Sequence, residues 1–278
     1  MGKLFNGQGN EGRRPARPRV AKPAQENYRP RPKESSQLVY GIRPIMEAVE
    51  AGKQFERVYV QKGVESRLLT ELVSRLNAVE APVQYVPVEK LNRLTSNVHQ
   101  GVVALLAPIA YRQVVSLLPA LMERAQVPLV LMLDRITDVR NMGAIARTAE
   151  CAGVDAMILP AHGSAQLNED AMKTSAGALF RLPVCREQNL KTVVNLCKQL
   201  GMQVVAATEK SSTNYLSVDF RQPTLLIMGA EDTGISPELL RLCDVRARLP
   251  MCGSIQSLNV SVAAGVFMYE VLRQRAQQ

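Results

Sequence analysis

Histidine and cysteine are scarce in these 278 residues: His99 and His162, and five cysteines at positions 151, 185, 197, 243 and 252. No two cysteines form a CxxC pair, which argues against a structural zinc site or a disulfide scaffold and for a reducing, cytoplasmic setting. No metal is therefore expected. Apolar runs are short as well. None approaches the ~20 residues of a membrane span, and the first residues lack the apolar core of a signal peptide, so neither a membrane anchor nor export is expected. The GxxxxGKS/T phosphate loop is absent. A G-x-G-x-x-G pattern does occur at Gly7, Gly9 and Gly12. No strand feeds it and RRPARPR follows it, so no helix N-terminus is available there for a pyrophosphate.

What is present is 46% hydrophobic and 21% charged, ordinary for a globular chain and long enough for two domains. The net charge of +9 is unevenly spread. Residues 1–36 hold nine Lys/Arg against three Glu, with five prolines and little to bury. A disordered basic tail suited to an anionic polymer such as RNA is expected there, a solubilising extension being the plainer alternative.

From Leu38 onward, strand and helix patterns alternate. Strands are expected at LVYG, Arg57–Gln61, Val83–Val86 and Val102–Ala107, with helices at Arg43–Ala51, Arg67–Asn77 and Val88–Leu94. Pro44 suits a first helical turn and Gly52 a helix end. These describe a small α/β domain over residues 37–108. A connecting stretch, 109–127, with a helix near Leu117–Arg124, leads to a second α/β unit over 128–278. Its strands are expected at Leu129–Leu133, Ala156–Leu159, Gln203–Ala207, Thr224–Met228 and Val245–Leu249. Its helices are expected at Asn141–Cys151 behind an Asp138 cap, Leu190–Leu200, Pro237–Leu242 and Asn259–Arg273. Near-continuous apolar strands predict a parallel sheet covered on both faces.

Three segments carry polar residues that packing alone does not need. In TDVRNMGAIAR, Asn141, Gly143 and Arg147 follow the first strand of the second unit. In LLIMGAEDTGIS, a buried strand runs into a turn holding Gly229, Glu231 and Gly234. In LPMCGSIQSLNVSVAAG, Ser257 and Asn259 lie between a strand and a helix. Each has a plainer reading taken alone: a capping asparagine with an exposed arginine, a tight turn, and a helix cap at Ser257.

Together, Asn141-x-Gly143-x-x-x-Arg147, Gly229-x-Glu231-x-x-Gly234 and Pro250 through Ser257-Leu258-Asn259-Val260-Ser261 resemble the three motifs of the SpoU family of S-adenosylmethionine-dependent RNA 2′-O-ribose methyltransferases. YGIRPIMEAVEAG and VHQGVVA resemble the N-terminal domain of bacterial 23S rRNA guanosine-2′-O-methyltransferases, so the likeness runs from about Leu38 to Arg275. The DRITDVRN stretch, with Arg135 and Arg140, departs from the pattern and bears on the target nucleotide.

The resemblance implies an α/β methyltransferase domain with a trefoil knot, preceded by a ribosomal-protein-like RNA-binding domain, and a homodimer whose apolar segment Val260–Leu272 is the contact face. It implies that Thr208, Gly229, Leu249 and Leu258 contact S-adenosyl-L-methionine, largely through backbone groups. It places Asn141, Arg147, Glu231, Ser257 and Asn259 in the catalytic site, acting on a ribose 2′-hydroxyl of 23S rRNA. Asn141 would hold Arg147 or the ribose, and Glu231 the arginine or the cofactor loop. A guanidinium holds its proton in ordinary protein sites, so Arg147 is read as a phosphate clamp that orients the hydroxyl, with the base left open. A tRNA or another rRNA nucleotide is the alternative substrate. A non-catalytic RNA-binding assembly factor is the alternative of another class, against which the presence of Asn141, Arg147 and Asn259 speaks.

Overall fold

The computed structural model describes residues 38–64, 66–123 and 127–276. The basic segment, the Gly7–Gly12 pattern and Arg124 lie outside them.

Four strands, Leu38–Tyr40 (β1), Phe55–Gln61 (β2), Val83–Val86 (β3) and Val102–Leu106 (β4), form a first sheet in the order β1-β4-β2-β3. β2 and β3 are parallel, whereas β4 runs antiparallel to both β1 and β2. Because side chains alternate along a strand, Val58 and Val60 face one side with Val102 and Ala104, and Tyr59 and Val103 face the other. The first side is covered by Ile42–Glu50 (α1) and Arg67–Ala78 (α2), through Ile42, Ile45, Leu69, Leu72 and Leu76. The second is covered by Val88–Leu94 (α3), through Leu91.

A helix at Val114–Met122 (α4) follows, starting three residues before the pattern suggests, and buries Val114, Leu118 and Leu121 in the core of the second unit. That unit is a six-stranded sheet built from Leu129–Asp134 (β5), Ala156–Pro160 (β6), Val184–Glu187 (β7), Gln203–Ala207 (β8), Thr224–Gly229 (β9) and Val245–Ala247 (β10). The order is β10-β8-β9-β5-β6-β7 and every pairing is parallel.

Both faces are covered, which is why β5 reads as an unbroken apolar run ending in Asp134. One face packs Leu129, Leu131 and Leu133 against Val139–Cys151 (α5) and the later helix Val260–Arg275, through Met142, Ile145, Ala264 and Phe267. The other packs Val130 and Met132 against α4 and Leu190–Gln199, through Leu118, Val193 and Val194. Among the described residues, one strand and one α-helix have no counterpart in the sequence pattern. They are β7, whose Arg186 and Glu187 break the apolar run, and the six-residue helix Glu169–Thr174 (α6), capped by Asn168. Numbering in chain order makes Leu190–Gln199 α7, Pro237–Leu240 α8 and Val260–Arg275 α9. β10 also stops at Ala247, two residues short of expectation.

The first sheet is tied to the second by a buried charge pair. Glu56 on β2 is 2% exposed, and its Oε1 accepts hydrogen bonds from Arg186 Nη2 (2.7 Å) and the Leu167 amide (2.8 Å). The Tyr111 hydroxyl donates to Glu56 Oε2 at 2.5 Å. Arg186 Nη1 donates to the Glu56 carbonyl at 2.9 Å, and the guanidinium stacks 4.4 Å from the Tyr111 ring centroid. Burial, reinforced by the Glu56 carboxylate, pushes the Tyr111 phenol well above its ordinary pKa, keeping it a donor.

Candidate active site

In an open parallel sheet, ligands bind beyond the carboxyl ends of the strands. Here the ends of β8, β9 and β10 and the loop before α9 border an open cleft of about 600 Å³, the solvent at its mouth included. Thr208, Gly229, Leu249 and Leu258 all line it, together with Glu231 and Ser257. The sequence pattern assigns none of its deeper walls to the cofactor. These are Met228, Val260, Ala263 and Phe267, core residues by pattern that also close the cavity.

The turn after β9 shapes one wall. Ala230 and Gly234 bridge each other, with the Gly234 amide donating to the Ala230 carbonyl at 2.9 Å. That return brings the chain so close to Gly229 that a Cβ there would lie 2.2 Å from Gly234 C and Ile235 N. The turn is held from β5: Asp134, 4% exposed, accepts from the Ser236 amide at 2.6 Å. Arg135 donates to the Gly234 carbonyl at 3.1 Å. Arg135 and Asp134 are thus site-building residues. The signal for the latter was an acid closing an otherwise apolar strand. Gly143 has a similar explanation on α5, since a Cβ would meet Thr174 Cβ at 2.7 Å and the Ala171 carbonyl at 2.8 Å where α6 crosses.

The three polar segments meet at one carboxylate oxygen. Glu231 Oε1 accepts from Asn259 Nδ2 (2.7 Å), Asn141 Nδ2 (3.1 Å) and the Val260 amide (3.2 Å). Asn259 Nδ2 also donates to Asn141 Oδ1 at 3.0 Å. Each asparagine is fixed from its own helix. The Asp138 carboxylate caps α5 by accepting from the Asn141 amide at 2.8 Å. Asn259 caps α9 by accepting from the Ser261 amide at 3.0 Å. The helix cap is therefore Asn259, and Ser257 is left exposed on the cavity wall.

Arg147 stands apart from this junction. It is exposed on α5 and makes no hydrogen bond or ion pair with any described residue. Neither Asn141 nor Glu231 holds it; they hold each other and Asn259. On the side of the junction facing α5 lies a second recess, lined by Arg135, Thr137, Asp138, Asn141 and Asp232. It shares Ala230, Glu231 and Val260 with the cavity beyond β8 and β9. The arrangement is two recesses separated by a hydrogen-bonded wall, with a free cation nearby on the same helix. Such a geometry can place two ligands on either side of one carboxylate. Burial pushes the thiols of Cys185 and Cys197 up to about 12, which removes both as thiolates. Among the described residues no three His, Cys, Asp or Glu side chains are grouped to hold a metal ion, and no helix is long and apolar enough to cross a membrane.

The SpoU rRNA methylase family matches residues 128–269, and the RNA 2′-O ribose methyltransferase substrate-binding family matches residues 38–112. The chain belongs to the SpoU rRNA methylase family. Among its relatives is the 23S rRNA (guanosine-2′-O-)-methyltransferase RlmB of Photorhabdus laumondii, 37% identical over 87% of this chain and 99% of that one. A Staphylococcus haemolyticus protein assigned to the TrmH family of tRNA/rRNA methyltransferases is 32% identical over 86% of this chain and 96% of its own. The SpoU methyltransferase AviRb from Streptomyces viridochromogenes, solved in complex with AdoMet, superimposes with a TM-score of 0.56 at 28% identity, covering 87% of this chain and 91% of that one. This SpoU family member is an RNA 2′-O-methyltransferase whose cofactor is S-adenosylmethionine.

Proposed function

We propose that the enzyme methylates the ribose 2′-hydroxyl of one guanosine in 23S rRNA, in the cytoplasm. The observation that carries this reading is the Asn141–Glu231–Asn259 junction, whose Glu231 lines both recesses and whose Asn141 lines the second. The relation to RlmB supports the choice of RNA.

The cavity beyond β8 and β9 fits S-adenosylmethionine by its chemistry. Leu249, Leu258, Val260 and Phe267 offer an apolar bed for adenine, and no lysine or arginine lines it to oppose a cationic cofactor. Thr208, Gly229, Leu249 and Leu258 would hold it. When bound, it supplies the electrophilic methyl group. The protein's part is positioning, which supplies much of the rate in a transfer between two bound partners. Asn141 presents the second hydrogen of its Nδ2 to the acceptor ribose, Glu231 and Asn259 keep it in place, and Ser257 lines the approach with Asn259. Arg147 clamps the adjacent phosphate, a task suited to a guanidinium with no partner among the described residues. The knot belongs to this reading, with the chain after β10 threading past the β9 turn. The first sheet and its helices would select the RNA, and the basic N-terminal segment would add non-specific attraction.

The test is to map 2′-O-methyl groups in rRNA and tRNA from cells with and without the gene. One 23S guanosine should lose its mark, regain it with the wild-type enzyme, and stay bare with Arg147→Ala or Asn141→Ala. Purified Arg147→Ala should bind S-adenosylmethionine within a few fold of wild type by calorimetry. A missing tRNA mark would move the substrate, and a collapse of cofactor affinity would take Arg147 out of its assigned role.

A homodimer is part of the same reading. Val262 and Tyr269 are 52% and 50% exposed on α9, and they line a shallow apolar groove with Ala144, Gly265 and Val266. A second copy covering that groove would bury it and complete the site across two subunits. Sedimentation at micromolar concentration should show a species near twice 30.6 kDa. A fully active monomer would contradict it.

A further inference from the structure

One charged group on the wall of the cavity beyond β8 and β9 takes no part in the junction. Glu209 lies two residues beyond the end of β8, lines the cavity, and its carboxylate has no hydrogen-bond or ion-pair partner among the described residues. Its neighbours on the wall are committed elsewhere. Glu231 Oε1 already receives three donors. The Thr208 amide donates to the Ala247 carbonyl at 2.8 Å, and Thr208 Oγ1 accepts from the Lys210 amide at 3.3 Å. Gln256 and Ser257 are neutral, and Gln256 Nε2 donates to the Ser254 carbonyl at 3.3 Å.

We propose that Glu209 anchors S-adenosylmethionine by its ribose, each carboxylate oxygen accepting a hydrogen bond from one of the two vicinal hydroxyls. A carboxylate presents two acceptors side by side, and a cis-diol presents two donors at matching separation. The position is also the one that dinucleotide-binding sheets use for this purpose, an acid just beyond the end of a strand beside the glycine-bearing turn. Here β8 is the hydrogen-bonded neighbour of β9, whose turn carries Gly229. The negative charge suits a cofactor that is cationic overall, and hydrogen bonds to a charged acceptor are the stronger kind. The inference rests on the assignment of this cavity to the cofactor.

The experiment is calorimetric titration of wild type, Glu209→Gln and Glu209→Ala with S-adenosylmethionine, 5′-methylthioadenosine and 2′-deoxy-5′-methylthioadenosine. Glu209 is exposed, so both variants should melt with wild type. Glu209→Ala should weaken S-adenosylmethionine and 5′-methylthioadenosine by the same factor, about tenfold or more, with Glu209→Gln between. The 2′-deoxy compound should bind wild type more weakly than its parent, and that difference should shrink in Glu209→Ala. Unchanged affinity in Glu209→Ala would overturn the proposal. So would a loss confined to S-adenosylmethionine, which would mean that the carboxylate meets the amino-acid end instead. Leu258→Trp, which fills the exposed mouth, separates the two levels of the argument. If it blocks binding while the Glu209 variants do not, only the ribose contact fails. If it leaves affinity intact, the cavity assignment fails with it.

Discussion

Gly229→Ala is expected to abolish S-adenosylmethionine binding while leaving a folded protein. The added Cβ would sit 2.2 Å from two backbone atoms, Gly234 C and Ile235 N, and 2.5 Å from the Gly234 carbonyl oxygen. Backbone cannot rotate aside as a side chain can, so the turn from Ala230 to Gly234 must shift as a unit. It cannot shift cheaply, because Ser236 is held to Asp134 and Gly234 to Arg135. Overpacking of this kind costs about 1–3 kcal/mol, spread through the segment that supplies Gly229, Ala230 and Glu231 to the cavity wall. A loss of at least about 100-fold in affinity, equivalent to roughly 2.7 kcal/mol, is expected by calorimetry. Gly253→Ala is the control, since a Cβ there meets nothing within 4 Å. Retained affinity in Gly229→Ala, or an equal loss in Gly253→Ala, would show that the turn's closeness is not what shapes the site.

The second large effect is expected far from the cofactor. Glu56→Ala should lower stability by about 3–5 kcal/mol, because it leaves Arg186, whose side chain is only 7% exposed, charged and without its counterion. The Leu167 amide and the Tyr111 hydroxyl lose their acceptor at the same time. For a chain of this size a melting shift of roughly 6–20 °C follows. Adding Arg186→Met should recover part of the loss, since removing both charges is milder than stranding one. Cofactor affinity at permissive temperature should be unchanged, as neither residue lines the cavity. RNA affinity should fall if the first sheet must be held in register with the second to receive the substrate. A melting shift under about 2 °C would mean that the pair is solvated and carries little stability.

Much of this architecture was legible because the strands are long apolar runs and the helices have clear stripes. β5, β8 and β9 needed nothing more than their composition. β7 was not legible, because Arg186 and Glu187 give it a polar half, and the reason for Arg186 lies 130 residues away, in Glu56. α6 is a single short turn and a half whose role is to cross Gly143. Within the site, residue identities were readable and their pairings were not. Asn141, Glu231 and Asn259 announce themselves as polar groups at strand ends, but Arg147 was as good a partner for any of them on paper. The two caps, at Asp138 and Asn259, decide the outcome by turning both asparagines toward Glu231 and leaving the arginine outside.

The junction also has a bearing on when the enzyme becomes competent during its own synthesis. Asn141 and Asn259, which touch, are 118 positions apart. At translation rates of about 5–20 residues per second, roughly 6–24 s separate their appearance from the ribosome. Throughout that interval the first sheet and β5 are available, and α5 is complete once Cys151 has been added, yet neither recess has its wall. A nascent or prematurely terminated chain ending before Asn259 would therefore carry the elements proposed to grip RNA without any place for a methyl donor. Competence arrives late and all at once, with the segment that caps α9.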